Sequence, residues 1–395
     1  MKSVYDVNLR GKVVLKRIDL NSPVSEGKVL PNPRIREHAK SVKELSEMGA
    51  KVVLLSHQGS PGEDDFLSLE QHALLLAEEV GKPVKFVPDV CGEKAKGAIR
   101  GMKDGEIVLL ENVRFVEDET KEEGVNEAKI VKELSPLADY FILDALSVSH
   151  RKHASVVGFG EKLPVLAGRT LVKEVEALNK VSGGKDVVFI MGGSKVKDSL
   201  RIMKKQMNGK NRFLLGGVIA TLFLHAEGND IGASMSYLIT SDLLKHVDEV
   251  KEIMAKHRKE IMLPVDVGVK DESGKRKNVK VGEKINGEIL DIGPETAKKY
   301  AMVIKKAKNI AMNGPMGVYE IPEFSYGTKE VLKAITESKA FSLIGGGHTT
   351  NALEALGIDD KKIGYISLSG KAFLKYLGGE ELVGVEMLRK HSKTF

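Results

Sequence analysis

The segment Phe189-Ile-Met-Gly-Gly-Ser-Lys195-Val-Lys-Asp ends an apolar run in two glycines and a lysine, and a helical pattern follows. A turn of this kind aims backbone N–H groups and a helix N-terminus at an anion, and the lysine adds a mobile positive charge. The G-x-x-x-x-G-K-[ST] spacing of a P-loop is absent. Three more glycine turns lie downstream. They are Gly216-Gly217, Asn313-Gly-Pro315-Met-Gly317-Val-Tyr-Glu320 and Gly345-Gly346-Gly347-His348-Thr349. The last precedes an amphipathic pattern, so its amides offer a seat for phosphates, and Glu320 is a candidate acceptor for ribose hydroxyls. One such turn says little, because glycine often only permits a tight bend. Together they imply a nucleotide site that includes Gly193, Ser194 and Lys195.

A second set lies upstream. Arg34, His57, Arg114 and Arg151 each follow an apolar run or open a helix near one. Guanidinium forks match carboxylate and phosphate geometry. Asp19 and Asn21 could hold hydroxyls, with Leu20, Gln58, Gly59 and Ser60 completing the turns. A small ligand carrying phosphate, carboxylate and hydroxyl would use the whole set. For any one arginine the alternative is a surface ion pair. His57 reads equally as a ligand contact or a loop residue. His150 and His153 could pair on a metal, but no further ligand is evident, and the metal ligands stay unknown.

Positioning these groups takes a repeating framework. Apolar runs at Lys12–Ile18, Lys51–Leu55, Val84–Val87, Ile107–Leu110 and Tyr140–Leu143 are each followed by a helical pattern. A second series runs through Val187–Met191, Arg212–Leu215, Ile261–Val265, Asn309–Met312, Phe341–Ile344 and Ile363–Ile366. Continuous apolar runs suit parallel strands buried on both faces. The predicted class is α/β, with two Rossmann-like open parallel-sheet domains facing each other across a cleft and joined by an interdomain helix. The expected divisions are 1–168, a helix over 169–182, and 183–379, with the tail 380–395 packing back on the first domain. Lys270–Lys280 reads as a solvated hairpin tip. In open α/β sheets ligands sit beyond the carboxyl ends of the strands, where the candidate residues fall.

Composition bounds the function. The chain has 395 residues, 29% charged and 42% hydrophobic, an ordinary globular balance. A net charge of +6 suits a small polyanionic substrate. No clustered basic stripe with aromatics points to nucleic acid, and no apolar stretch approaches membrane-spanning length. The single cysteine, Cys91, excludes an intramolecular disulfide and a Cys-based zinc site. A cytoplasmic protein is expected, as a monomer, with a homodimer as the alternative.

Two further readings compete with group transfer. A nicotinamide-dependent two-domain oxidoreductase would use Gly345-x-Gly347 as the start of G-x-G-x-x-G, but Thr350 takes the third glycine position. A two-lobed binding module without chemistry is the other.

Ten segments in order carry a family resemblance. They include VVLKRIDLNSPV, PRIREHAKSV, VVLLSHQGSPG, DALSVSHRKHASVVGF, VVFIMGGSKVKDS, NGPMGVYEIPEFSYGT and SLIGGGHTTNALEALG. Over essentially its full length the chain resembles phosphoglycerate kinase, in a form similar to the archaeal branch. The resemblance implies phosphoryl transfer between 1,3-bisphosphoglycerate and ADP, giving 3-phosphoglycerate and ATP with Mg2+, after hinge closure. It implies a phosphoglycerate site at Asp19, Asn21, Arg34, His57, Arg114 and Arg151. It implies a nucleotide site at Gly193, Lys195, Gly216, Gly217, Asn313, Pro315, Glu320, Gly346, Gly347 and Thr349. Arg34 and Lys195 match the residues that neutralise the transferring group. The chain departs from the family pattern at four places. Ser60 stands for an arginine, Ser199 for a second lysine, and His348 for the metal-binding aspartate. The last glycine-rich turn reads Ser367-Leu-Ser369-Gly370-Lys371. Lys371, or Lys197, is the candidate replacement for the lysine lost at Ser199.

Overall fold

The computed structural model describes residues 1–391. The chain forms two compact units, one of residues 1–176 together with the segment from residue 381, the other of residues 177–380. The division falls inside the helix Arg169–Val181.

The first unit is built on a six-stranded sheet. Its order is Lys85–Val87, Ile107–Leu110, Lys51–Leu55, Val13–Arg17, Tyr140–Leu143, Val165–Ala167, and every neighbouring pair is parallel. All five expected strands appear with their boundaries shifted by at most one residue. Val165–Ala167 lies outside the expected strand series. It is an edge strand of three apolar residues between Pro164 and Gly168, too short a run to stand out in sequence. Register does the positioning: Arg17 lies opposite both Leu55 and Leu143. Residues just past these three strands therefore leave the sheet at one level.

The helix Pro33–Glu47 covers this sheet. Its buried Ile35, Ala39, Val42 and Leu45 follow helical spacing and join Leu76 and Val80 of the helix Glu70–Val80 in the core. Proline fits its first turn, and Asn32 caps it by accepting from the N–H groups of Arg34 and Ile35. The C-terminal helix Val383–His391 also belongs to this unit. Gly384 meets Leu143 and Ser149 so closely that a Cβ there would sit 2.9 Å from a leucine methyl.

The second unit has a six-stranded parallel sheet in the order Ile261–Met262, Arg212–Leu215, Val187–Met191, Asn309–Asn313, Phe341–Gly345, Tyr365–Ile366. Counted along the chain this is 3-2-1-4-5-6, with the direction of winding reversing between Val187–Met191 and Asn309–Asn313. Met191 is level with Leu215 and with Asn313, and Asn313 with Gly345. The four glycine turns thus emerge along one edge. Two strands are shorter than expected. Pairing from Ile261 stops at Met262, just before Pro264, which has no N–H to offer a ladder. Ile363–Ile366 pairs only at Tyr365 and Ile366.

A small antiparallel sheet is added, in which Asp266–Lys270 pairs with both Arg276–Lys280 and Glu288–Ile292. The hairpin expected near Lys270–Lys280 is its first half, its turn held by Asp271 Oδ1, which accepts from the N–H groups of Ser273 and Lys275. Glu288–Ile292 was not expected. Its mixture of charged and apolar residues matches neither the continuous runs of the main sheets nor a clean alternation.

Candidate active site

In the first unit the strand ends bring a charged network together. Asp19 is nearly fully buried and lies 3.4 Å from the Arg34 guanidinium. Its carboxylate also accepts from Ser147 Oγ at 2.5 Å, and its backbone N–H donates to His38 Nε2. Burial pushes the Asp19 carboxyl up, but Arg34, His57 and Ser147 outweigh it and hold it well below the usual range. Arg34 also donates to the Asn21 carbonyl, and Asn21 Oδ1 accepts from the Gly59 N–H at 2.8 Å. Arg114 donates to the Gly59 carbonyl and to Ser60 Oγ. Ser60, where an arginine was the expectation, is thus a partner that fixes Arg114. Burial and the charges of Arg151 and Arg17 bring the Arg114 guanidinium down to about 10.

His57 is 4% exposed. Arg17 donates to its Nδ1 at 3.1 Å, and an arginine cannot accept, so His57 carries its proton on Nε2 when neutral. Burial first, then the Arg17 charge, holds its pKa far below the ordinary value. Arg151 contacts His150 and adds its charge to the field at His57 and Arg114. Leu20 and Gln58 are fully buried. The Leu20 N–H donates to Ser56 Oγ, and the Gln58 amide is occupied by Ser22 and His72. Their side chains support the turn from beneath.

Sequence reasoning left out the layer under these residues. Lys16 and Asp144 form an ion pair of 2.6 Å with both side chains fully buried, and Asp144 Oδ1 also accepts from Thr170 and Leu171 at the start of the helix Arg169–Val181. Arg17 is buried beside it. The available signal was Lys16-Arg17, two cations ending an otherwise apolar strand. Cys91 is buried, and burial raises its thiol to about 11, which leaves it protonated and unreactive.

In the second unit the glycine turns enclose a cavity of about 320 Å³. Gly193, Ser194, Lys195, Gly217, Asn313, Pro315, Glu320, Gly346, Gly347, His348 and Thr349 all line it. Gly216 and Gly345 do not: a Cβ on Gly216 would meet Met316, and one on Gly345 the Phe373 ring. These two glycines serve packing. The turns are also tied to one another. Gly193 N–H donates to the Pro315 carbonyl, Gly217 N–H to the Met316 carbonyl, and Gly314 N–H to Thr349 Oγ1, each at 2.8 Å. Elsewhere the lining is more apolar, including Leu224, Leu238 and Ile289, with the half-exposed ring of Tyr237. Helix Ser234–Thr240 and strand Glu288–Ile292, which supply much of that wall, were not identified from sequence.

Of the three candidate lysines, Lys195 lines the cavity. Lys197 lies beside Arg201 and Lys204 around a separate depression, and Lys371 is exposed at the start of the helix Lys371–Leu377. Ser199 is fully buried. His348 Nδ1 stands 3.7 Å from Glu320 Oε1, with both side chains more than half exposed. Among the described residues no group of three or more His, Cys, Asp or Glu could hold a metal ion.

A sequence model described as "Phosphoglycerate kinase" matches residues 4–380. The curated phosphoglycerate kinase of Methanothermobacter thermautotrophicus is 41% identical over 399 residues, covering 98% of this chain and 97% of its own. That of Pyrococcus horikoshii is 37% identical, covering 100% and 99%. The crystal structure of the Pyrococcus horikoshii OT3 enzyme superposes with a TM-score of 0.89 at 36% identity, each chain covered in full. The Coxiella burnetii enzyme gives 0.86 at 32% identity, covering 99% of each chain. The strand order of the second unit would also suit a dinucleotide fold, but these matches leave the oxidoreductase reading without support. Matched in sequence along nearly all its length and in fold throughout, the chain belongs to the phosphoglycerate kinase family.

Proposed function

We propose that the arginine network of the first unit binds 3-phosphoglycerate or 1,3-bisphosphoglycerate, and that the cavity of the second binds ATP or ADP. The enzyme then transfers phosphoryl reversibly between them, as phosphoglycerate kinases do. The observation that carries this reading is the cavity: four glycine turns, level at one sheet edge, with Lys195 among them.

In the direction of ATP use, a carboxylate oxygen of 3-phosphoglycerate attacks the γ-phosphorus, the bond to the β–γ bridging oxygen breaks, and ADP leaves. The attacking carboxylate is ionised near neutral pH, so no general base is needed. What the protein must supply is alignment and positive charge around a loose transition state. Arg34, held by Asp19 and the Asn21 carbonyl, serves from the acceptor side. Lys195 serves from the nucleotide side, with Lys371 as the proposed second cation. His57 offers Nε2–H, and Arg114 and Arg151 hold the resting phosphate. Gly346 to Thr349 open a helix whose amides receive the nucleotide phosphates.

Magnesium enters as part of MgATP or MgADP. A metal of this kind is ordinarily held by phosphates and water with one or two protein oxygens. Glu320, beside His348, keeps its assignment as the acceptor for ribose hydroxyls. With its ligands on separate units, transfer requires a closing step. We place the enzyme in the cytoplasm as a monomer; among the described residues no helix is long and apolar enough to cross a membrane. A coupled assay with ATP, magnesium and 3-phosphoglycerate tests the reading. Phosphoglycerate-dependent ADP formation is expected, and its absence from folded protein would refute it.

A further inference from the structure

Behind His57 lies a chain of contacts that the reaction does not require on its face. Glu119 is fully buried. Its two carboxylate oxygens accept from the Ser155 hydroxyl at 2.6 Å and from the Ser155 N–H at 2.9 Å. Ser155 Oγ accepts in turn from Arg17 Nε at 3.0 Å. Arg17 turns its far nitrogen to His57 Nδ1 at 3.1 Å. The groups facing Glu119 are Arg17 from the sheet, Arg114 from the turn after Ile107–Leu110, and His153, whose Nδ1 is 4.0 Å away, beside Ser155 on the segment that follows Arg151. A carboxylate buried among cations, with both oxygens spent on a single serine, has a use only if it holds something in place. Leaving such a charge without partners would be costly.

We propose that Glu119 is a positioning residue for the phosphoglycerate site: through Ser155 it fixes the Arg17 guanidinium, and Arg17 locks His57 into its Nε2–H tautomer. A neutral imidazole has one donor nitrogen and one acceptor. Only the Nε2–H form can donate from Nε2 to an anionic ligand. Without a fixed arginine on Nδ1, both tautomers are open to His57, and the Nδ1–H form would set an acceptor lone pair against the ligand's oxygen. The inference rests on the reading that phosphoglycerate binds beside His57.

The test uses the full-length enzyme at about pH 8, where the Glu119 carboxyl raised to about 7 is ionised, with Glu119→Gln, which keeps the shape and removes the charge, and Ser155→Ala, which keeps the charge and removes the link. Nitrogen chemical shifts of His57, assigned by difference with His57→Gln, report the tautomer in the ligand-free protein. The wild type is expected to show Nε2–H alone and each variant a mixture. Calorimetric titration should show 3-phosphoglycerate binding weakened about tenfold, the size of one lost hydrogen bond to a charged group, with MgADP binding changed less than twofold. A purely structural lesion would move both affinities and the thermal midpoint together. Unchanged tautomers in both variants overturn the inference. So does weakened MgADP binding equal to the loss for 3-phosphoglycerate. Should the wild type fail to bind 3-phosphoglycerate at all, the site assignment falls, whereas the tautomer, read without ligand, still decides the positional relation.

Discussion

Arg34 and Arg151 bring the same charge to the proposed site under different constraints. Arg34 is held by Asp19 and by the Asn21 carbonyl. It is pre-aimed, as a group must be to meet charge that develops only during transfer. Arg34→Ala should therefore lower kcat about a hundredfold to a thousandfold, whereas Arg151→Ala should mainly raise KM for phosphoglycerate. Steady-state kinetics separate the two, and an unchanged kcat in Arg34→Ala would take it off the catalytic set. Lys371 calls for a similar trial. It is exposed and lies outside the cavity lining. If it replaces the charge absent at Ser199, Lys371→Met should lower kcat about a hundredfold at nearly constant KM. A change under about threefold would end that idea. The residues proposed to touch ligand were legible because arginine, histidine and glycine at strand ends have few other reasons to be there. The layer beneath was not. Glu119, Ser155 and Ser147 are ordinary loop residues in sequence, and only register and burial give them partners.

Among elements, the glycine turns separate two demands that sequence alone presents as one. Gly192 is pressed against the next turn, where an added Cβ would fall 2.1 Å from the Pro315 carbonyl oxygen. Gly347, first in the helix Gly347–Ala355, has nothing within 4 Å of that position. Gly192→Ala should thus destabilise the fold, since a tightly packed contact of two turns cannot absorb a methyl without shifting backbone. Gly347→Ala should leave thermal unfolding within experimental error and raise KM for nucleotide about tenfold, by holding phosphate away from the amides. The assignment of the Gly347 turn to phosphate would not survive a normal nucleotide KM in that variant. The main strands were readable because strands buried on both faces must be continuously apolar. Glu288–Ile292 breaks its apolar run with Glu288 and Asp291 and is partly exposed over its first three residues, so the wall of the cavity that it forms gave no comparable signal.

For the molecule as a whole, the buried ionisable groups of the first unit tie stability to pH in opposing ways. Burial raises the Glu119 carboxyl to about 7, against the opposing pull of Arg17 and Ser155. Between its ordinary value of 4.5 and about 7 the folded state keeps a proton that the unfolded chain has released. This group's contribution therefore falls as pH rises through that window. Buried His38 and His153, both lowered to about 4 by burial, act the other way. Their unfolded forms take up protons below about 6.5, so stability falls as pH drops. Glu119→Gln isolates the first effect. Its thermal midpoint relative to wild type should rise between about pH 5 and about pH 8, where the penalty for an ionised buried carboxylate is removed. A difference that stays flat across that range would place the Glu119 titration elsewhere. The variant would then be more stable at high pH and poorer at binding phosphoglycerate, a separation of robustness from activity.

The helix Val383–His391 belongs to the first unit although some two hundred residues of the second precede it in the chain. Gly384 docks against Leu143 and Ser149, its N–H donating to the Ser149 carbonyl at 2.9 Å, and Met387 packs where Gly160 has no side chain. During synthesis, then, the first six strands leave the ribosome long before the helix that seals them. The second unit, continuous in sequence, can finish folding while its predecessor still waits with an apolar face open. Domains generally fold as they emerge, but here the order of emergence and the order of completion are inverted. Until that helix docks, the surface at Leu143, Ser149 and Gly160 has no cover from it.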